Sequence, residues 1–87
     1  MKLINLISPS ANLAELTALA SDDDLLLLRQ DAVYLVYQAA LPFPGKVLAL
    51  ESDINWRNIT LPAHIRAITD AEWVTLSANA SQNLLWS

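Results

Sequence analysis

The side chains able to do chemistry in this 87-residue sequence are acids, hydroxyls and a single imidazole, with no cysteine among them. Asp31, Asp53 and Asp70 each stand just after an apolar run, Ser8 and Ser10 flank Pro9, and Asp22, Asp23 and Asp24 form an acidic triplet. Acids in such loops could support hydrolase or phosphotransfer chemistry. Each has a plainer use, because Ser, Thr and Asp are the preferred N-caps of helices, so capping is the expected role for the loop residues. The triplet precedes a strand, its consecutive side chains diverge, and no distal Glu follows at the spacing of a Ca²⁺ loop; a solvated turn is expected there. His64 is the sole histidine, which leaves no partner for a multi-histidine metal site or a Cys-His pair, and it falls at the start of a strand rather than its end. No serine has the neighbours of a G-x-S-x-G elbow. Gly45, the only glycine, lies between Pro44 and Lys46 and cannot by itself build a phosphate-cradling loop. These residues nominate no catalytic group, no metal ligand and no cofactor site, and the missing thiol removes disulfides and thiolate chemistry from the chain.

The elements that would position these residues alternate in period. Apolar runs of strand length are separated by segments of helical spacing, the pattern of repeated βα units around a parallel sheet. The first strand is expected over Lys2 to Ile7, followed by a helix that sets Leu13, Leu16 and Ala20 on one face. Leu25 to Leu28 is continuous rather than alternating, as in a central strand covered on both faces. Asp31 then caps a short helix through Val33, Tyr34, Val36, Tyr37 and Ala40, although the valines and tyrosines also permit a strand. Leu41 to Gly45 reads as a turn into a third strand, Lys46 to Leu50, after which Ser52 and Asp53 cap a helix through Asn58. A fourth strand over Ile65 to Ile68 leads to Thr69-Asp70-Ala71-Glu72, a capping box opening a helix to about Ala80 with Trp73, Leu76 and Ala80 on one face. Ser81 to Ser87 is left as a tail. The expected fold is one domain, residues 1–87, of α/β class: three layers, α/β/α, around a mainly parallel sheet of about four strands.

Composition narrows the roles. Hydrophobic residues make up 54% of the chain and charged residues 16%, against about 25% charged in average proteins. A domain this small hides only about 60% of its surface, so apolar material must remain outside and an assembly is expected. Nine acids against five bases, with no basic cluster in the sequence, argue against direct nucleic-acid binding. The apolar runs are too short to span a bilayer, and no signal peptide is evident, so a cytoplasmic location is expected. Three tryptophans, two tyrosines and one phenylalanine are many for such a core. Some are expected in interfaces, where aromatic anchors are enriched, Trp86 first among them.

Asp24-Leu25-Leu26-Leu27-Leu28-Arg29-Gln30-Asp31-Ala32-Val33-Tyr34 resembles the "LLLLQDGVY" stretch of the TusB/DsrH family of sulfur-relay subunits. Leu3 to Pro9 is similar to that family's first strand and Ser-Pro turn, Ala49 to Ile54 with Trp56 to Ile59 to its third strand and sequel, and Asp70 to Trp73 with Ser81 to Trp86 to its closing motif. The resemblance spans nearly the whole chain. Ala32 and Asn58 stand where the family usually has Gly, which is expected to alter two local turns, and the stretch from Val36 to Lys46 is short. The resemblance implies a non-catalytic subunit that joins TusC-like and TusD-like subunits in a heterohexamer. Persulfide sulfur would reach that assembly from a TusA-like carrier and leave through a TusE-like one, for 2-thiolation of the wobble uridine of tRNA; related DsrEFH assemblies serve sulfur oxidation. On this reading the surface to hold partners is Arg29, Gln30, Asp31, Tyr34 and Trp86, the charges orienting a partner loop and the aromatics supplying buried area. The alternative is a stand-alone homo-oligomeric binding module.

Overall fold

Four consecutive leucines have no polar face to turn to water, so the strand they form must be covered on both sides. In the computed structural model, which describes residues 1–9, 13–37 and 43–86, that strand is the middle of a five-stranded sheet. The strands are β1 (Lys2–Leu6), β2 (Leu25–Leu28), β3 (Lys46–Leu50), β4 (Arg66–Ile68) and β5 (Gln82–Trp86), in the order β4-β3-β2-β1-β5. All four pairings are parallel. The helices are α1 (Leu13–Leu19), a 3₁₀ helix (Gln30–Tyr37), α2 (Glu51–Trp56) and α3 (Asp70–Asn79).

Alternate residues of the strands feed two separate cores. Ile4, Leu6, Leu26, Leu28 and Ala49 pack with Leu16 of α1, Val33 and Val36 of the 3₁₀ helix and Ile54 of α2. Leu3, Leu27, Leu48, Leu50 and Ile68 pack with Trp73, Leu76 and Ala80. The three-layer α/β/α class is therefore as expected. The handedness of parallel crossovers explains why α3 stands alone on its face. Steps from β1 to β4 all move one way across the sheet, whereas the last connection returns past β1, and reversing direction puts the crossover on the opposite face.

The fifth strand is the main departure from the sequence reading, which left this segment as a tail. Gln82 to Trp86 pairs with Lys2 to Leu6 along its whole length. Neither its half-polar composition nor its exposure marks it as a strand; it extends because β1 offers a free edge some eighty residues away in sequence.

Local structure differs at three other places. Gln30–Tyr37 is a 3₁₀ helix rather than an α-helix or a strand. Its buried residues, Ala32, Val33, Leu35 and Val36, lie in pairs three apart, which suits three residues per turn. Residues 38–42, which carry the expected continuation to Ala40 and the start of the expected turn, lie outside the described residues. Helix α2 begins at Glu51 with Leu50 as an N-cap that makes no side-chain bond. Ser52 therefore does not cap it, and its hydroxyl donates instead to Asp70 at 3.2 Å. The capping box at Thr69 and Glu72 is present in both directions.

The acidic triplet is only partly a solvated turn. Asp22 and Asp23 are exposed, but Asp24 is 2% exposed. Its carboxylate accepts from the backbone N–H groups of Lys2 and Ser21 at 2.9 and 3.0 Å and lies 3.4 Å from Lys2 Nζ. Burial pushes its pKa up, but the backbone donors and the Lys2 and Ser21 side chains outweigh that and hold it at about 2, below its ordinary 3.8. Gly45 is required beside it, because a Cβ there would lie 2.0 Å from the Asp24 carbonyl oxygen.

A carboxyl with a depressed folded-state pKa stabilises the fold fully above its unfolded value and loses that contribution as pH falls. Urea denaturation should show stability declining from about pH 4 toward pH 2. Asp24→Asn should remove roughly 2 kcal/mol at neutral pH and flatten this window; an unchanged pH profile would exclude the assigned role. Thr69→Ala should cost about 1 kcal/mol by the same assay, the usual value of an N-cap hydroxyl.

Candidate functional site

In open parallel sheets ligands and partners are met beyond the carboxyl ends of the strands, where the connecting loops gather. Here those ends present Ile7 to Pro9, Arg29 to Asp31, the start of α2 and Thr69. The peptide N–H of Arg29 donates to Leu6 O at 2.9 Å, carrying the β1–β2 ladder one residue past β2. Gln30 then takes a left-handed conformation, φ 51°, which costs a non-glycine residue on the order of 1 kcal/mol. The chain reverses sharply there, and the two neighbours of Gln30 part to opposite faces of the sheet.

Asp31 and Tyr34 go with the 3₁₀ helix. At three residues per turn, Asp31, Tyr34 and Tyr37 share one line along it, and all three are exposed, the tyrosines by 45% and 63%. Helix α2 packs beside the 3₁₀ helix, and Arg57 at its end ties the two together. Arg57 Nε donates to Asp31 Oδ1 at 3.1 Å, and its Nη1 lies 3.4 Å from Asp53 Oδ1. Trp56, next to that arginine, is 81% exposed. Asp31, Tyr34, Tyr37 and Trp56 are thus exposed on two elements that pack together, with two carboxylates sharing one arginine between those elements. Asp31 and Asp53, the acids best placed for an enzyme in the sequence, share one guanidinium.

Arg29 takes the other direction. Its guanidinium carbon lies 4.0 Å from the centre of the Trp73 ring, on the α3 face. Trp86, the last of the nominated residues, is half-buried on β5 and packs against the core beneath α1 and the 3₁₀ helix. The five nominated residues thus divide. Gln30, Asp31 and Tyr34 form one surface, while Arg29 and Trp86 lie on opposite faces of the sheet.

Tyr37 and Trp56 belong to the aromatics expected partly at interfaces, but nothing local in the sequence singles them out. An α-helical period groups Tyr37 with the apolar residues of its segment, and only the period of three exposes it together with Tyr34. Trp56, flanked by Asn55 and Arg57, could as well fill a core as face out, and only the fold shows it exposed. At the amino ends of β3 and β4, Phe43, Lys46, His64 and Arg66 line a groove, so basic groups scattered in the sequence meet in space, with Arg66 paired to Glu72. Among the described residues no three His, Asp or Glu side chains converge on a point that could hold a metal ion, and no helix is long and apolar enough to cross a membrane.

Of the two positions at which the resemblance leads one to expect glycine, only one needs a glycine-like backbone. Asn58 has φ 53°, a conformation that asparagine tolerates better than most residues, so the turn after α2 survives the substitution. Ala32 is fully buried in the 3₁₀ helix with no positive φ.

No curated protein matches the sequence. The solution NMR structure of protein Tm0979 from Thermotoga maritima superposes with a TM-score of 0.68 at 23% identity, over 90% of this chain and 92% of that one. The crystal structure of the ychN protein from E. coli gives 0.73 at 20% identity, over 98% of each chain. At such identities both likenesses establish the fold. A family model described as DsrH like protein matches residues 7–83, which is most of the sequence, and its span takes in β2, the 3₁₀ helix, α2 and α3. On that match, with the fold in agreement, the chain belongs to the DsrH-like family.

Proposed function

We propose that this chain is a non-catalytic subunit of a cytoplasmic sulfur-relay complex, in which sulfur travels as persulfide on other subunits and ends in the 2-thiolation of the wobble uridine of tRNA. The observation that carries this reading is membership of the DsrH-like family by a chain without cysteine. Persulfide transfer needs a thiolate that attacks the outer sulfur of a donor and later yields it to the next thiolate. Met1 supplies the only sulfur atom, and a thioether cannot ionise to serve. What the chain offers such a relay is surface.

Its partners on this reading are TusC-like and TusD-like subunits, with TusA-like and TusE-like carriers reached through them. The aromatic surface of Tyr34, Tyr37 and Trp56 has the chemistry of an interface core, with large rigid side chains and a charged pair at its rim. Gln30 and Asp31 border it and lie beside the carboxyl end of β2, where a partner loop would meet the sheet.

Co-expression with the TusC-like and TusD-like proteins of the same source should give a complex that survives size-exclusion chromatography. Tyr34→Ala should weaken it by about tenfold or more, as truncation of an aromatic anchor does, without unfolding the free subunit. A chain that ignores those partners and elutes as a stable homo-oligomer would mean a stand-alone binding module instead.

A further inference from the structure

The open edge of the sheet at β5 carries an uncommitted cation. Lys2, Arg57 and Arg66 each meet a carboxylate, but among the described residues Arg29 meets none, nor does Lys46, which lies on β3 away from this edge. Its Nε is buried without a hydrogen-bond partner while Trp73 covers one face of the guanidinium. Asn5 faces the same groove, of about 340 Å³, between β5 and α3. It is more than nine-tenths buried, its Nδ2 donates to Leu84 O at 3.2 Å, and its Oδ1 has no partner. A desolvated donor with a positive charge and a desolvated acceptor therefore lie in one groove, each at a cost that a ligand could relieve.

Among the described residues, part of the backbone beside that groove is also unmet. Trp86 O accepts from Ile7 N, so the peptide groups of residues 82, 84 and 86 face β1. Those of Asn83 and Leu85 face outward, at the edge of the sheet. Register with Leu3 and Asn5 puts the Asn83 and Leu85 side chains on the α3 face, where Leu85 is 66% exposed. Free main-chain donors and acceptors, an exposed leucine and a cation on the same side are the features of an edge that receives another strand.

We propose that β5 takes an extended segment of a different protein chain, which bonds to the backbone of Asn83 and Leu85 and seats a glutamate carboxylate on Arg29. A second copy of this chain does not fit, because none of its five strands contains Asp or Glu and an edge-to-edge pair would bring Arg29 no anion. Strands lie about 4.8 Å apart, so a side chain crossing Leu85 must be long, which selects glutamate over aspartate. An N–H donor of the incoming segment satisfies Asn5 Oδ1. This inference is independent of any role in sulfur transfer.

The probe is the blocked peptide acetyl-Val-Thr-Glu-Thr-Val-amide, whose valines and glutamate share one face, titrated into the ¹⁵N-labelled full chain. Saturable shifts are expected at the backbone amides of Asn83 and Leu85, at Arg29 Nε and at Asn5 Nδ2. Replacing the peptide's Glu with Gln should weaken binding by about tenfold, the worth of a charge-assisted hydrogen bond, without altering the protein. Arg29→Gln should abolish the preference for the Glu peptide, with folding checked by the dispersion of the spectrum. Equal affinity for the two peptides, or shifts that avoid β5 and Arg29, would overturn the proposal. So would sedimentation showing a dimer closed through β5 in the absence of peptide.

Discussion

The Asp24 carboxylate fixes the amino-terminal end of the sheet, and the other elements are placed from there. It binds the N–H of Lys2 at the start of β1 and the N–H of Ser21 before β2, so the two central strands enter the sheet in a set register. The Asp24 carbonyl meanwhile leaves no room for a side chain at Gly45, one residue before β3. A buried charge is tolerable only when its hydrogen bonds are complete, and here backbone donors complete them. Three strands are thereby aligned by a residue that does no chemistry. With β2 in the middle, its four leucines supply both cores, which is how so short a chain covers two faces of a five-stranded sheet.

At the opposite end of β2 the constraint is conformational. Gln30 is held in the left-handed region, and a non-glycine residue stays there only when its surroundings over-determine it. The hydrogen bond from the Arg29 N–H to Leu6 O of β1 on one side and the buried start of the 3₁₀ helix on the other do so. The consequence is a division of labour between faces. The helix carries Tyr34 and Tyr37 outward on one, and Arg29 is delivered to Trp73 and the β5 groove on the other. A DsrH-like chain with no thiol thus has two unlike surfaces, one aromatic and one with an unmatched cation beside an open edge.

Each surface owes its character to something that no short motif encodes. The aromatic one needs a helical period of three instead of 3.6, together with the Arg57 bridge between α2 and Asp31. The β5 groove needs residues from β1, the turn after β2, α3 and β5, drawn from positions 5 to 85. The capping box at Thr69, by contrast, was legible because it is complete within four residues. Ser52 looked equally like a cap and was not one, since α2 starts a residue earlier and its hydroxyl finds Asp70.

The sequence by itself determined the fold class, the central place of Leu25 to Leu28, the α3 capping box and the absence of a thiol. These follow from local period, local hydrogen bonding or composition, all of which act within a few residues. Only the tertiary structure decided that the last segment is a strand, that Asp24 is buried while Asp22 and Asp23 are not, and that Arg29 parts from Asp31 across the sheet. Those outcomes depend on partners that are distant in sequence, β1 for β5, Lys2 for Asp24 and Trp73 for Arg29, and on a single left-handed residue whose cost becomes acceptable only once the sheet around it has formed.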